Sequence, residues 1–283
     1  MSGTPYLKMN GLGNDFVVVD ARVSGRRFTA DQVRKITNRA TGIGADQMIV
    51  MEKPRADGVD VFMRIYNQDG GEIDACGNAS RCIAGLLAKE LDRNTVTLET
   101  NAGLLFAAVH GEVVTVDMGR PRFDWDQIPL AEPFADTTGI ELQIGPIDAP
   151  ILHTPSVVNV GNPHCIFWVD DVERFDLGRF GPLLENHPIF PDRANISLAQ
   201  VMSRDHIRIR VWERGTGLTR ACGTAACATA VAAARKGLSN RKVKVDLPGG
   251  PLTIDWRESD SHVLMTGPWS LDGVGTLPEA LAA

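Results

Sequence analysis

The segment VFMRIYNQDGGEIDACGNASRC (residues 61–82) recurs without gaps as IRIRVWERGTGLTRACGTAACA (residues 207–228). Each copy has the same order of features: an alternating apolar strand, a glycine-containing turn, a cysteine followed by glycine, and a helix. The cysteine stands in ACGNA at 75–79 and in ACGTA at 221–225. The repeat predicts two equivalent halves, each with one cysteine directly before a helix.

The similarity extends beyond these segments. GNPHCIFWVD (161–170) echoes GNDFVVVD (13–20), and the strands predicted at 243–247 and 252–256 echo those that follow the first helix. The second helix is rich in Ala, Thr and Cys, which predicts a helix enclosed by its own domain. We therefore expect two copies of a strand-rich unit, each wrapped around one central helix, with a site between the halves.

Local signals predict where the helices begin and end. Thr29 with Gln32 forms a capping box for a helix that runs to about Ala40. Asn78 is expected to cap the helix after the first cysteine, and Arg81 lies off its apolar stripe. The proline-rich segment 121–150 is expected to be the crossover between halves, with an edge strand. The predicted domains are 1–121 plus 269–283, and 122–268.

The composition of the chain argues against several classes of protein. A chain of 283 residues can form two domains, and its net charge of −6 argues against binding to a nucleic-acid backbone. The start MSGTPYLKMNG lacks the charged and apolar regions of a signal peptide. No apolar run approaches the length of a membrane span. We expect a cytoplasmic protein with neither a membrane nor a nucleic-acid partner.

The five cysteines are expected to be free thiols. An odd number without a secretory signal does not indicate a disulfide framework, and the sequence contains no CxxC zinc motif. Cys82 and Cys227 fall inside apolar helices, and Cys165 begins an apolar strand, so these three are expected in the core. Cys76 and Cys222, which occupy equivalent positions, remain as the candidate reactive pair.

A cysteine before a helix lies where free backbone N–H groups and the helix dipole favour negative charge. That position is expected to lower a thiol pKa below its free value of about 8.5. If an acid's Cα lay between two such sulfurs, one thiolate could remove the α-proton and one thiol could protonate the opposite face. This chemistry inverts a stereocentre and needs no metal or organic cofactor, and none is expected.

Polar residues in the repeated loops are candidates for binding such a substrate. Arg214 can hold a carboxylate in a bidentate manner. His164 and Glu213 are candidates for tuning the thiols or accepting their protons. Uncharged donors and acceptors come from Asn14, Gln47, Asn67, Asn162 and Asn195.

The chain resembles the diaminopimelate epimerases over nearly its whole length. The motifs that carry the resemblance are MNGLGNDF (9–16), GADQ (44–47), YNQDGGEIDACGNASRC (66–82), GNPHC (161–165), AN (194–195) and ERGTGLTRACGTAAC (213–227). The resemblance implies an α+β fold of two pseudo-symmetric barrel-like halves, each a mostly antiparallel or mixed sheet, with the active site in the cleft between them. It also implies interconversion of LL- and meso-diaminopimelate in lysine and peptidoglycan precursor synthesis, and commonly a homodimer.

The same resemblance assigns site residues by their positions in the motifs. It places the two-base mechanism on Cys76 and Cys222, and the pKa-modulating groups on His164 and Glu213. The implied substrate-binding positions are Asn14, Gln47, Asn67, Gly77, Asn78, Asn162, Asn195, Glu213, Arg214, Gly223 and Thr224. The chain departs from the family at Leu218, where Glu is usual, and at Ala225, where Gly is usual.

Other functions remain open at this stage. Proline and hydroxyproline racemases also use paired cysteines, but they tend to follow the first cysteine with Gly-His rather than Gly77-Asn78. A thiol redox switch could use a reversible Cys76–Cys222 disulfide as its primary function. A catalytically silent binder of small ligands is the third possibility.

Overall fold

The computed structural model describes residues 3–282, which form two compact units. The second unit spans residues 117–266, and the first comprises the described residues before and after it. The sequence places the corresponding boundaries after residues 121 and 268.

The first unit begins with strands and two helices. In chain order these are β1 (Pro5–Gly11), β2 (Asn14–Asp20), α1 (Ala30–Thr37), β3 (Gln47–Glu52), β4 (Val61–Asn67), β5 (Glu72–Ile73), α2 (Gly77–Leu91), β6 (Thr95–Thr100), β7 (Gly103–His110) and β8 (Val113–Asp117).

The second unit repeats this order. Its elements are β9 (Gln143–Ile144), β10 (Leu152–His153), β11 (Ser156–Asn159), β12 (Pro163–Trp168), a 3₁₀ turn (Val172–Arg174), α3 (Leu177–Glu185), β13 (Asn195–Ser203), β14 (His206–Glu213), β15 (Gly217–Thr219), α4 (Gly223–Arg235), β16 (Lys242–Leu247), β17 (Gly250–Trp256) and β18 (Val263–Pro268). The chain ends in the first unit with β19 (Ser270–Thr276), which pairs with β1, and α5 (Glu279–Ala282).

Strand pairing confirms the repeat. In the first unit β1–β2 is antiparallel, β2–β3 parallel, β3–β4 antiparallel, β4–β6 parallel and β6–β7 antiparallel. In the second unit β11–β12, β12–β13, β13–β14, β14–β16 and β16–β17 follow the same sequence of orientations. The chain therefore has a mixed α+β fold made of two repeated halves.

One face of each sheet is covered by the shorter helix of its unit. Val17 and Val19 of β2 share an apolar cluster with Val33 and Ile36 of α1. In the second unit β12 packs in the same way against α3, through Phe167, Leu177 and Leu184. The alternation of side chains along a strand explains why every second residue of β2 and β12 faces this cluster.

The longer helix of each unit is the buried one. Helix α2 packs against β1, β6 and β7, and α4 packs against β11, β12, β16 and β17. Residues 225–233 of α4 are all buried, which small side chains permit on every face of a helix. Gly237 follows α4 with a φ of +70°, the left-handed conformation common after helix ends. The expected enclosed helix with a glycine stop is confirmed.

Arg81 differs from the expectation. It lies off the apolar stripe of α2, yet its side chain is fully buried. Its Nη2 donates to Asn78 Oδ1 at 2.9 Å and its Nε donates to the Pro268 carbonyl at 3.3 Å. Hydrogen bonds of this kind satisfy a guanidinium away from water, so periodicity alone misjudged its environment.

The predicted helix caps need correction. Helices α2 and α4 begin at Gly77 and Gly223, and the N-cap residues are Cys76 and Cys222, both with extended backbones. Asn78 and Thr224 are therefore the second helical residues rather than the caps. The sulfurs are thus attached to the residues from which the helices start.

Helix α1 shows the predicted capping box but ends earlier than expected. Thr29 accepts the Gln32 N–H, and Gln32 accepts the Thr29 N–H. The helix stops at Thr37 rather than Ala40, because Asn38 Oδ1 accepts the N–H groups of Ala40 and Thr41. Such side-chain hydrogen bonds offer the backbone an alternative to helix.

The expected crossover segment is part of the second unit. Ile128, Leu130, Ile140 and Leu142 are buried in the same apolar cluster as α3. Its short strand β9 pairs with β10 in a two-stranded sheet. The segment contributes core residues. Its proline content and acidic character did not indicate this role.

A close contact between α2 and Trp269 generates a test of packing in the first unit. An added Cβ at Gly85 would lie 2.1 Å from Trp269 Cε2, far inside van der Waals contact. Gly85→Ala should therefore lower the free energy of unfolding by about 1–3 kcal/mol, measured by urea titration. Gly273→Ala is the matched control, because an added Cβ there meets nothing within 4 Å. Equal stability of both variants would contradict the contact.

Candidate active site

In the first unit the predicted site residues collect at one edge of the sheet. Asn14 and Gln47 begin the parallel strands β2 and β3, while Asn67 ends β4. Since β4 runs antiparallel to β3, its last residue lies directly opposite Gln47. Cys76 leads into α2 close to Asn14, as the contacts below show. The topology therefore brings together residues that are far apart in sequence.

Asn14 connects the cysteine to the start of the helix. Its Oδ1 accepts from the Cys76 thiol, with the sulfur 3.8 Å away, and from Asn78 Nδ2 at 3.3 Å. Its Nδ2 donates to Asp46 Oδ2 at 3.1 Å. Because a carboxylate only accepts, Asp46 turns the amide so that its oxygen faces Cys76.

Asp46 is itself fixed by charged neighbours. Asp15 and Asp46 each accept the backbone N–H of the other, and Arg39 donates to both carboxylates. Burial raises the pKa of Asp15, but hydrogen bonds from Arg39 and Lys8 outweigh it and hold that pKa well below its usual range. A network of charged side chains therefore fixes Asp46, which in turn orients Asn14. Sequence reasoning missed it, although Asp46 lies inside the GADQ motif.

Gln47 and Asn67 form the second contact of this unit. Gln47 Nε2 donates to Asn67 Oδ1 at 2.9 Å. Within the described part of the chain, nothing donates to the buried Gln47 Oε1. A buried acceptor of this type carries an energetic penalty until a donor reaches it.

The second unit contains a longer chain of contacts. Cys222 Sγ lies 3.5 Å from Thr224 Oγ1, and Asn162 Nδ2 donates to that hydroxyl at 3.4 Å. His164 Nε2 lies 2.8 Å from Asn162 Oδ1. The structure thus links three predicted site residues to the cysteine, all within one unit.

Burial and a neighbouring carboxylate determine the protonation state of Cys222. The side chain is buried, and burial raises its thiol pKa well above the usual value. The charge of Glu213, with its hydrogen bond to the thiol, raises this pKa further, while Thr224 and the Ala225 N–H act in the opposite direction. The expectation of a lowered pKa is therefore wrong for Cys222, because loss of hydration outweighs the helix N-terminus.

His164 is held as a neutral imidazole. Its side chain is fully buried, which lowers its pKa to about 3, and the positive charge of Arg214 acts in the same direction. A neutral ring with a hydrogen on Nε2 can donate to Asn162 Oδ1, which orients that amide toward Thr224. His164 acts in this arrangement as a hydrogen-bond donor rather than as a cation.

Asn195 and the turn after β14 complete the group of predicted site residues in the second unit. His164 and Asn195 are paired in the parallel register of β12 and β13. Asn195 Oδ1 accepts the Arg214 N–H at 3.0 Å, and its Nδ2 donates to the Pro163 carbonyl. The Arg214 side chain donates to the Asp192 carbonyl at 2.9 Å. Asn195 therefore fixes the backbone of the residue that follows Glu213.

The remaining cysteines have a different environment. All five are free thiols, and Cys82, Cys165 and Cys227 are fully buried. Burial raises the pKa of Cys82 to about 12 and that of Cys165 well above its usual value. These cysteines belong to the core, as predicted.

Residues 3–282 contain neither a cluster of metal ligands nor a membrane-spanning helix. No cluster of three or more His, Cys, Asp or Glu in this range is arranged to hold a metal ion. No helix in it is both long and apolar enough to cross a bilayer.

Solved structures of a class of other proteins share this fold. A phenazine biosynthesis protein of the PhzF family from Bacillus anthracis superposes with a TM-score of 0.69 at 17% identity, covering 98% of this chain and 100% of its own. A hydroxyproline epimerase from Agrobacterium vitis, solved with trans-4-hydroxy-L-proline, gives 0.66 at 16% identity, covering 97% of this chain and 92% of its own. At this identity the likeness concerns the fold alone.

Sequence comparison identifies the family within that class. The diaminopimelate epimerase family profile matches residues 6–123 and 156–271. A diaminopimelate epimerase of Bradyrhizobium sp. (strain ORS 278) is 57% identical over 281 residues, 98% of this chain and 96% of that protein. One of Rhodopseudomonas palustris (strain BisA53) is 56% identical over 285 residues, 100% of this chain and 98% of that protein. The chain belongs to the diaminopimelate epimerase family.

The neutral state of His164 leads to a prediction about stability and pH. The pKa of this ring is about 6.5 in the unfolded chain, whereas burial lowers it to about 3 in the folded protein. The unfolded state therefore binds more protons between these values, so the contribution to stability is complete above about pH 6.5 and is lost as the pH falls. Urea titrations near pH 7 and near pH 5 should show this loss.

The variant His164→Gln has no titrating ring and should lose less stability between the two pH values than the wild type. His153→Gln, which removes an exposed imidazole, is the matched control. An identical pH dependence for wild type and His164→Gln would show that His164 is not held neutral by folding.

Proposed function

We propose that this protein is an epimerase that interconverts LL- and meso-2,6-diaminopimelate by proton transfer at Cα, without an organic cofactor. Support for the substrate comes from relatives of that name, which are 56–57% identical over nearly the full chain. The structures of proline racemase and hydroxyproline epimerase relatives are only 16% identical. They support the fold and favour neither of those substrates.

One observation carries the chemical part of the proposal. In each repeat a cysteine is the N-cap of a buried helix and contacts a polar side chain of the site: Asn14 at Cys76, Thr224 at Cys222. Core packing alone does not require a cysteine at both equivalent positions. Stereochemical inversion by two opposed groups does require one acid and one base.

The proposed step balances with the two sulfurs alone. One thiolate takes the proton from Cα, and the C–H electron pair remains on the substrate as a carbanion delocalised into its carboxyl group. The other thiol donates its proton to the opposite face of Cα, which forms the inverted C–H bond and leaves a thiolate. The reverse reaction exchanges the two roles, so the pair titrates as one coupled unit.

Protonation at Cys222 supports an assignment within this scheme. Burial and Glu213 both favour the thiol form of Cys222. On this basis we propose that Cys222 donates the proton and Cys76 acts as the base in one direction of the reaction, and that these roles exchange in the other direction. Glu213 and the neutral His164 tune this donor from within the same unit.

Substrate carboxylates are proposed to bind at the helix N-termini. The N–H groups of Gly77 and Asn78 on α2, and of Gly223 and Thr224 on α4, belong to the first turns of their helices. Such N–H groups suit a carboxylate and the negative charge that develops on it during proton removal. Arg214, Asn67 and Gln47 are proposed to contact the rest of the substrate.

Location and assembly are also proposals. Five free thiols are typical of a reducing compartment, which supports the cytoplasm. The names of the relatives support a role in lysine and peptidoglycan precursor synthesis. A homodimer is supported by apolar side chains exposed on β19, Leu271 and Val274. Light scattering after size exclusion tests the dimer, and a monomer at micromolar concentration would exclude it.

The experiment that tests the function uses solvent deuterium. Purified protein in D₂O with LL-diaminopimelate should yield the meso isomer with deuterium at the inverted Cα, as detected by NMR and mass spectrometry. Proline under the same conditions should gain none. Deuterium in proline but not in diaminopimelate would overturn the proposed substrate.

Variants of the cysteines test the residues. Cys76→Ser and Cys222→Ser should each lower kcat by about 100-fold or more, since a hydroxyl is a far weaker acid and base catalyst at neutral pH. Cys227→Ala, from the interior of the same helix as Cys222, is the matched control and should keep activity near the wild-type value. Full activity of either serine variant would exclude the two-thiol mechanism.

A further inference from the structure

A buried carboxylate behind the Glu213–Arg214 turn has no role in the chemistry described above. Glu185 is the last residue of α3 and is 5% exposed. Its Oε2 accepts from Trp212 Nε1 at 2.7 Å, and its Oε1 accepts from the Gly215 N–H at 2.8 Å and from Arg193 Nη1 at 3.2 Å. Two of these three donors flank the two proposed functional residues in sequence.

The face of α3 is shaped for this contact. Gly181 and Glu185 are four residues apart and therefore lie on the same side of the helix. An added Cβ at Gly181 would lie 2.4 Å from Trp212 Cδ2, so the indole packs directly on the glycine. This packing brings the indole N–H to the Glu185 carboxylate.

The turn is anchored at three points as a result. Glu185 holds Trp212 through its side chain and Gly215 through its backbone, and Asn195 holds the backbone of Arg214. Glu213 lies between the first two anchors, and its carboxylate also accepts from the Thr219 hydroxyl. A shift of this turn would move Glu213 relative to the Cys222 thiol, to which it is hydrogen-bonded.

We propose that Glu185 is a positioning residue that fixes the Trp212–Gly215 turn and thereby holds Glu213 against Cys222 and Arg214 toward the substrate. The inference rests on the proposed function for its link to turnover. Its structural part concerns contacts within the second unit alone. Glu185 touches neither the sulfur nor, in this proposal, the substrate.

The conservative variant Glu185→Gln gives a specific expectation. An amide has one acceptor and one donor end, whereas the Glu185 carboxylate accepts at both ends. If the amide oxygen serves Gly215 and Arg193, its NH₂ meets the Trp212 N–H, which is also a donor. This mismatch should loosen the turn and lower kcat/KM by about 10- to 100-fold, the usual effect of a small displacement in an active site.

A second substitution should reverse part of the loss. Trp212→Phe removes the indole N–H, so the double variant Glu185→Gln/Trp212→Phe no longer opposes two donors. It should be more active than Glu185→Gln, although Trp212→Phe alone should be less active than the wild type. Glu173→Gln is the matched control, because Glu173 is an exposed carboxylate paired with Arg210 at 3.4 Å and should leave activity unchanged.

A measurement without substrate separates this inference from the proposed function. NMR titration of ¹³Cβ-labelled cysteine, assigned with Cys222→Ser, reports protonation of Cys222 directly. Its midpoint should move to lower pH in Glu185→Gln, because Glu213 raises the pKa of Cys222 and would be displaced. Wild-type protein inactive on diaminopimelate would overturn the proposed function but leave this test valid.

Unchanged kcat/KM and an unchanged Cys222 titration in Glu185→Gln would overturn the positioning role. A fall in kcat/KM that Trp212→Phe does not relieve, with an unchanged titration, would also overturn it and indicate a general loss of stability. A lower midpoint together with partial rescue is the result expected.

Discussion

The structure depends on one constraint, which is that a cysteine forms the N-cap of a buried helix in each repeat. An N-cap residue has an extended backbone while the next residue is already helical, so its side chain is fixed beside the N–H groups of the first helical turn. The strands around α2 and α4 then bring polar side chains to the same helix ends. In the first unit Asn14 reaches Cys76 and Asn78 at the start of α2, and in the second unit Asn162 and Glu213 reach the start of α4.

Two opposing effects act on a thiol at this position, and their magnitudes decide its state. A helix N-terminus stabilises a nearby negative charge by about 0.3–1 kcal/mol, which is less than one pKa unit. Loss of hydration at a fully buried site can shift a pKa by about 3–5 units in the other direction. For Cys222 burial therefore prevails, and Glu213 adds to it. Position along the helix was readable from sequence, whereas burial of the sulfur was not.

The same distinction separates what sequence could predict from what it could not. The repeat and the two buried helices follow from periodicity and from matching motifs, because these are local or self-similar features. Arg81 was misjudged because its partners, including the Pro268 carbonyl, are supplied by distant segments. The sequence around Glu185, and around Asp15 and Asp46, does not indicate which groups these carboxylates contact. Only the fold reveals those contacts. The site residues named by family resemblance are brought together within each unit, but their catalytic roles remain predictions.

The contacts behind the site residues explain how short polar side chains can be oriented in a buried setting. Three amides of the site are oriented by hydrogen bonds to a neighbouring charged or imidazole side chain. Asp46 orients Asn14, Arg81 orients Asn78, and the neutral His164 orients Asn162. Such partners remove the two-fold ambiguity of an amide, since the wrong orientation would oppose like groups away from water. Buried amides in such a site therefore need hydrogen-bonding partners that fix their orientation. In this fold each repeat supplies these partners from its own strands and helices.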